Sequence, residues 1–217
     1  MKAMIRDRVQ PPTANYHHAF HVQGEEVVLR PKGRFSIELR DLEGNLLDRR
    51  EQDNIITLDS GVFSGIHYGA GPNPSPAVSG LTMLCVGSGA TGSILSPDAP
   101  DPRQRMLNAE VALGRKPLTT IFRTAAGAVS SVPTNIVDFT ATFGEGEAVG
   151  PLNEMGLLRT ISQNPLVRTP ITPTPVFPAY DPTVNLTLFD VMINYGTFGV
   201  ITKPSASSLS FTWRLTF

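Results

Sequence analysis

The sequence predicts an all-β protein: an antiparallel β-sandwich of the jelly-roll type, with an extended N-terminal arm and long Pro/Gly-rich loops. Three observations carry this expectation. At the C-terminus Leu209, Phe211, Trp213, Leu215 and Phe217 alternate with Ser210, Thr212, Arg214 and Thr216, the period of a strand with one buried face. The same period recurs at Phe35, Ile37 and Leu39, and again at Val137, Phe139, Ala141 and Phe143. Finally, 19 glycines and 19 prolines punctuate 217 residues, which disfavours long helices and supplies turns.

Residues 1–30 read as the arm. They hold Pro11, Pro12 and the histidines His17, His18 and His21 without sustained periodicity, so they need another surface to order against. Residues 31–217 form the sandwich domain. Its first hairpin runs out along Phe35–Ile37–Leu39, turns at Gly44 and Asn45, and returns over residues 46–56. Residues 69–80 are a long Gly/Pro/Ser loop, and residues 81–86 (LTMLCV) a buried strand. Residues 105–113 suit either a short helix or a strand, and 186–193 suit a strand. The segment 162–183 carries six prolines and is expected to be extended, largely polyproline II. No helical stretch of consequence and no internal repeat is expected. Long loops in a compact domain commonly contact neighbours.

Bulk composition narrows the function classes. A hydrophobic share of 41% suffices for a core, while charged residues make up only 17% and the formal net charge is −1. Such a chain lacks the field that holds nucleic acid non-specifically, so no nucleic-acid partner is expected. Cys85 is the one cysteine; it excludes an intrachain disulfide and a multi-cysteine zinc site, and its apolar surroundings predict a buried, inert thiol. No apolar run reaches membrane-spanning length, and the first residues lack the apolar core of a signal peptide, so synthesis in the cytoplasm and no membrane partner are expected.

Several chemical motifs deserve weighing. Residues 87–92 (GSGATG) match the GxGxxG fingerprint of dinucleotide sites. That fingerprint works only when a helix opens on its third glycine and turns its amides to the phosphates. Here Pro97, Pro100 and Pro102 follow, so the segment reads as a tight surface loop, and no cofactor is expected. His17, His18 and His21 lack a Cys or carboxylate at ligand spacing. They read as a solvated or interface cluster rather than a metal site, although a trimer would bring three such arms together. Glu145, Glu147 and Glu154 raise the thought of a glycosidase pair, yet residues 144–148 (GEGEA) read more simply as a solvated hairpin tip. The remaining histidine, His67, has no nucleophile elbow to serve. No catalytic residue is assigned and the chain is not expected to be an enzyme. Residues 185–187 (NLT) match a glycosylation sequon by accident, and Trp213 is core rather than a sugar platform.

The order of short motifs is more informative than any one of them. Residues 54–57 (NIIT) with Ser60 and Gly61 are followed by 86–89 (VGSG), then 107–110 (LNAE), a strand around 137–143, 153–157 (NEMGL), 201–203 (ITK) and a terminal strand at 209–217. This succession, covering about residues 33–217, resembles structural proteins of tailed bacteriophages of the tail-collar and tail-fibre attachment type. The resemblance implies a non-enzymatic virion protein, made in the bacterial cytoplasm, whose partners are copies of itself (a trimer among the options) and other virion proteins. Fibre proteins of this type continue into a shaft; a chain ending at Phe217 suggests instead a compact collar, connector or anchor in the tail. A capsid decoration protein that clamps coat subunits is the alternative, and a carbohydrate-binding host-recognition module a third.

Overall fold

The structure, a computed structural model, describes residues 18–22, 25–29, 31–69, 80–171, 181 and 183–217. Residues 1–17 of the expected arm, the loop at 70–79, and residues 172–180 and 182 of the proline-rich segment lie outside them. Within the arm, β1 (His18–Val22) and β2 (Glu25–Leu29) pair antiparallel in a small sheet of their own, Phe20 opposite Val27.

The body is a two-sheet antiparallel sandwich. In chain order its elements are β3 (Lys32–Arg40), β4 (Leu46–Asp53), β5 (Ile55–Ile56), α1 (Leu58–Gly69), β6 (Met83–Gly87), β7 (Glu110–Pro117), β8 (Thr119–Arg123), β9 (Val129–Ser130), β10 (Ile136–Phe143), β11 (Gly150–Arg159), β12 (Val191–Lys203) and β13 (Ser208–Thr216). The first sheet has the order β4-β3-β13-β10-β8-β9, and the second β5-β12-β11-β6-β7. The terminal strand, β13, is therefore central to the first sheet, between β3 and β10.

The two sheets differ in burial, and the sequence differs accordingly. In the first sheet one face is polar. Phe35, Ile37 and Leu39 of β3, Leu209, Phe211, Trp213 and Leu215 of β13, and Val137, Phe139, Ala141 and Phe143 of β10 point inward. There they meet Leu84, Val86, Leu152, Met155, Leu157, Phe198 and Ile201 of the second sheet. Trp213 is fully buried, its ring 5.5 Å from that of Phe35, which in turn meets Phe198 edge-on at 6.2 Å. Phe35 also lies over Gly196, where a Cβ would stand 2.7 Å from the ring, so glycine admits the aromatic there.

The second sheet is covered on both faces. Its outer side carries a cluster of Met83, Cys85, Met106, Leu107, Leu158, Met192 and Tyr195, and beside it another of Phe63, Ile171, Leu186, Val191 and Ile193. Strands buried on both faces have no polar side to alternate. That is why β6 reads as the continuous run MLCVG, buried at every position. Helix α1 and the segments around 101–109, 161–171 and 183–190 supply the cover.

Helix α1 overturns the expectation of no consequential helix, and it shortens the predicted return strand. The chain leaves the first sheet at Asn54 and crosses to pair Ile55 and Ile56 with Tyr195 and Asn194 of β12. It then enters the helix, whose first amide, that of Leu58, donates to the Pro102 carbonyl at 2.8 Å. Leu58, Val62, Phe63 and Ile66 keep helical spacing, but Gly61 and Gly65 each cost about 1 kcal/mol against alanine. Packing of Phe63 against Val191 and Ile193 outweighs that local preference. No helix among the described residues is long and apolar enough to cross a membrane.

Other expectations shift in detail. Of residues 105–113, only those from Glu110 onward join a strand, β7. Between its pairings of Glu110 with Gly87 and Arg115 with Cys85 the register slips, and Leu113 adopts φ 50°. Residues 186–193 hold a 3₁₀ turn (Leu186–Leu188) and only then the start of β12. Residues 144–148 are not a hairpin tip but the crossover from β10 in one sheet to β11 in the other. Buried Lys203 pins that crossover by donating to the carbonyls of Gly144 and Ser207 at 2.8 and 2.9 Å.

The position of Trp213 between β3, β10 and the opposite sheet makes it the largest single contributor to the core. Trp213→Ala should cost about 3–5 kcal/mol through lost burial and a cavity, measured by urea unfolding. A loss below about 1 kcal/mol would contradict the sandwich packing described.

Candidate functional site

The most organised polar site lies where the outer side of the second sheet meets the loop after β6. Its centre is Glu154 of β11, fully buried and opposite Gly87 in register. A bare carboxylate at that depth would be strongly unfavourable unless donors surround it. Here four do. The amides of Gly89 and Ala109 donate to Oε1 at 3.0 and 2.8 Å, and the Asn108 amide and the Tyr195 hydroxyl donate to Oε2 at 3.1 and 2.9 Å. Burial first, and then the neighbouring Glu154 charge and hydrogen bond, push the Tyr195 phenol far above its ordinary range, so it remains a donor.

Asn153 extends the same lock. Its Oδ1 accepts from the Ala90 amide at 3.0 Å, and its Nδ2 donates to the Ala90 carbonyl at 3.3 Å. Asn108 Nδ2 donates to the Gly89 carbonyl at 3.1 Å. The glycines of the GxG loop follow from this crowding. A Cβ on Gly87 would stand 2.5 Å from the Ala109 carbonyl oxygen, and one on Gly89 would stand 2.5 Å from the Ala109 nitrogen. These glycines therefore serve backbone approach to another segment of the chain.

Two buried arginines, each paired with carboxylates, hold the outer cover. Arg115 donates to Glu110 at 2.8 and 3.1 Å and to Asp190 at 2.6 Å; although burial opposes its charge, these carboxylates keep it protonated. Asp190 also accepts from the amides of Ile161 and Thr169 at 3.1 and 3.0 Å, which fastens the segment 161–169. Arg105 and Asp59 pair at 2.9 Å, both nearly solvent-free, and Arg105 reaches the Asp181 carbonyl at 2.8 Å. Helix α1, the loop before β7 and the end of the proline-rich segment are thus tied together. Arg159 lies 5.9 Å from the centre of the Phe63 ring and donates to the Phe189 carbonyl at 2.9 Å.

Beside the Glu154 lock opens a shallow cleft of about 410 Å³, between residues 89–91 and 98–104 and floored by Tyr195 and Thr197. Its lining combines the polar side chains of Asp98, Asp101, Gln104, Asn108 and Thr91 with Ala99 and Pro100. Asp101 is engaged by Arg103, whose hydrogen bond holds its carboxyl below the usual range. Tyr195, the aromatic in the lining, is 3% exposed and offers no open ring face for stacking.

The residues weighed as chemistry fall into separate places. Glu147 binds Lys116 at 2.6 Å, Glu145 is exposed and Glu154 is locked, so the three glutamates do not act as one site. Cys85 is buried and free, its thiol donating to the Gly156 carbonyl at 3.4 Å, with burial foremost in pushing its pKa up. His67 sits in the last turn of α1 with its ring 4.5 Å from that of Phe63. His18 and His21 lie in β1, and His17 is outside the described residues. Residues 87–92 form the end of β6 and a loop with no helix after it. Asn185 caps the 3₁₀ turn, accepting from the Thr187 amide and hydroxyl at 3.1 and 2.6 Å, which gives the sequon a structural role. Among the described residues no three His, Cys, Asp or Glu side chains gather as a metal site. The role of Glu154 was the signal missed in the sequence: an acidic residue directly before the apolar run of residues 155–158 (MGLL).

No protein-family model matches the chain, and no curated protein or solved structure matches it either.

Glu154→Gln should cost about 3 kcal/mol, because an amide cannot accept from all four donors and turns its own donors toward them. Glu147→Gln should cost less than about 1 kcal/mol, since its partner pair is a third exposed. Equal losses in chemical unfolding would refute the lock. Acid should act through carboxyls held below their ordinary range: Asp101 by Arg103, Glu147 by Lys116, and Asp138, where Arg214 and Arg123 outweigh burial. A folded pKa below the unfolded one stabilises fully above the unfolded value and is lost as pH falls through the folded value. The unfolding midpoint should therefore show no loss from these groups between pH 7 and about pH 5, and fall below about pH 4. A rise in stability on acidification through that range would contradict these pairings.

Proposed function

We propose that this chain is a structural protein of a tailed-bacteriophage virion, assembling as an oligomer in the tail apparatus as a collar, connector or fibre anchor. The observation that carries the reading is spatial. Three of the short motifs behind the phage resemblance, at residues 86–89, 107–110 and 153–157, are far apart in sequence, yet they meet at one carboxylate, Glu154. Two others also sit at joints of the fold. Thr57 of 54–57 donates its hydroxyl to the Met192 carbonyl at 2.6 Å, and Lys203 of 201–203 pins the crossover between sheets. Motifs that specify joints in a scaffold support the reading of a protein whose shape is its product.

The surface supports the same reading. Exposed aliphatic residues include Leu95 at 84%, Leu166 at 71% and Val129 at 67%, and exposed apolar side chains suit burial against neighbours. The engaged carboxylates leave the buried sites occupied with structural work. The hairpin β1–β2 joins neither sheet of the sandwich, and a lone two-stranded hairpin is marginal in water unless it packs on something else.

The test is the copy number of this chain in purified particles of the phage that encodes it, by quantitative mass spectrometry against the major coat protein. About a dozen to a few dozen copies is the expected result. Hundreds in fixed ratio to the coat would make it a capsid decoration protein, and absence from particles would overturn the structural reading. Deletion of residues 1–30 should leave the thermal unfolding of the sandwich nearly unchanged while abolishing assembly. An unchanged oligomer, or unchanged particle occupancy, would refute the role of the arm.

A further inference from the structure

The outer face of the first sheet carries one charged cluster built unlike the surface pairs around it. Asp138 of β10 points to this outer face, where side chains are ordinarily wet, yet it is 1% exposed. Two arginines from the flanking strands roof it. Arg214 of β13 grips both oxygens, Nε to Oδ1 at 2.7 Å and Nη2 to Oδ2 at 2.9 Å. Arg123 of β8 adds Nε to Oδ2 at 2.8 Å. One carboxylate thus positions two guanidiniums, leaving a net positive charge, and Arg214 is still 45% and Arg123 24% exposed. Arg214 Nη1 makes no hydrogen bond among the described residues.

The register places the neighbours. Ile121 is opposite Asp138 on one side, and Arg34 is opposite Arg214 on the other. Val129, 67% exposed, is opposite Arg123, and Thr216 stands between Ile136 and Lys32. Arg34 is neutralised by Glu51 at 2.8 Å, and Asp53 lies opposite it on the edge strand β4. Lys32 has no ion pair among the described residues. The unbalanced positive charge therefore sits at Lys32, Arg123 and Arg214, beside half-buried Ile121 and Ile136 and exposed Val129. Arginines held in place with aliphatic neighbours are the composition of a protein-binding hot spot, and a guanidinium's free edge matches a carboxylate.

We infer that the Arg123–Asp138–Arg214 cluster on the outer face of the first sheet is a docking site for an acidic segment of a partner protein, with Asp138 as the positioning residue. The partner's being a protein rests on the assembly reading above, while the site itself rests on the geometry. Asp138 makes the claim sharp. Its removal raises the positive charge of the cluster but frees the arginines from their fixed orientation. Simple charge attraction then predicts tighter binding of an anion, whereas a positioned fork predicts weaker binding.

The experiment measures binding of a fluorescein-labelled octaglutamate peptide to the full chain by anisotropy at low salt. Asp138→Asn, the double variant Arg123→Ala/Arg214→Ala, and a control Arg49→Ala/Arg50→Ala on β4 are compared, each checked for a cooperative thermal transition well above the assay temperature. The expected result is salt-sensitive binding by the wild type, a loss of about tenfold or more in both cluster variants, and no change in the control. Absent wild-type binding, unchanged binding by the arginine variant, or tighter binding by Asp138→Asn overturns the proposal. Equal binding of a labelled DNA duplex also overturns it, because the site would then be a general polyanion surface. Should the Asp138→Asn variant lose its transition, Asp138→Ser and the arginine double variant read the same question. Peptide binding with the chain absent from particles would leave the docking site standing and remove the virion reading; the reverse combination would do the opposite.

Discussion

The Glu154 carboxylate is the constraint on which the rest of the second sheet depends. A charge on a strand covered on both faces must be met by donors, and the nearest donors are backbone amides that have no partner in the sheet. Gly89, Asn108 and Ala109 supply them. The chain after β6 and the chain before β7 must therefore approach to within hydrogen-bond distance of β11. That approach in turn demands Gly87 and Gly89, since a side chain at either would collide with Ala109. One buried charge thereby fixes two loops, two glycines and the orientation of Tyr195.

From that joint the architecture follows outward. With the loops fastened, Met106 and Leu107 cover Met83, Cys85 and Leu158, and the buried pairs Arg115–Asp190 and Arg105–Asp59 hold the remaining cover. The second sheet becomes a middle layer. Its outward neighbour is the cover, its inward neighbour is the first sheet, and only the first sheet keeps an open face. The division assigns tasks: rigidity to the covered side, where ion pairs are dry and costly to break, and contact to the open face and the exposed aliphatic loops. Ion pairs on the open face are individually weak, so the Asp138 cluster stands out there by its burial rather than by its charge.

The first sheet was legible in the sequence because one of its faces is wet. Alternation at Phe35–Leu39, Val137–Phe143 and Leu209–Leu215 located its central strands, and burial matches that alternation. The second sheet was only half legible: the run at 81–86 marked a buried strand, but a strand covered on both sides carries no phase to read. Helix α1 escaped because its glycines lower local preference while its stability comes from Val191 and Ile193, distant in sequence. The candidate site was visible as short motifs whose order drew notice, but not as a contact. Nothing local to Glu154 says that its backbone donors lie 45 to 65 residues upstream, and residues 87–92 read as a tight surface loop rather than as partners of a buried carboxylate. The two arginines on Asp138 were hidden for the same reason, since Arg123 and Arg214 meet only across the pairing of β8, β10 and β13.

Hydrogen exchange of individual amides tests the central joint most directly. The amides of Gly89, Asn108 and Ala109 lie in loops, where exchange is ordinarily fast. If Glu154 holds them as described, they should exchange as slowly as the amides of Leu157 and Tyr195 in the β11–β12 ladder. They should be orders of magnitude slower than the amide of Ala126 in the exposed turn before β9. Exchange at the rate of that turn would mean that the carboxylate does not organise these loops, and the account of the second sheet would fail with it.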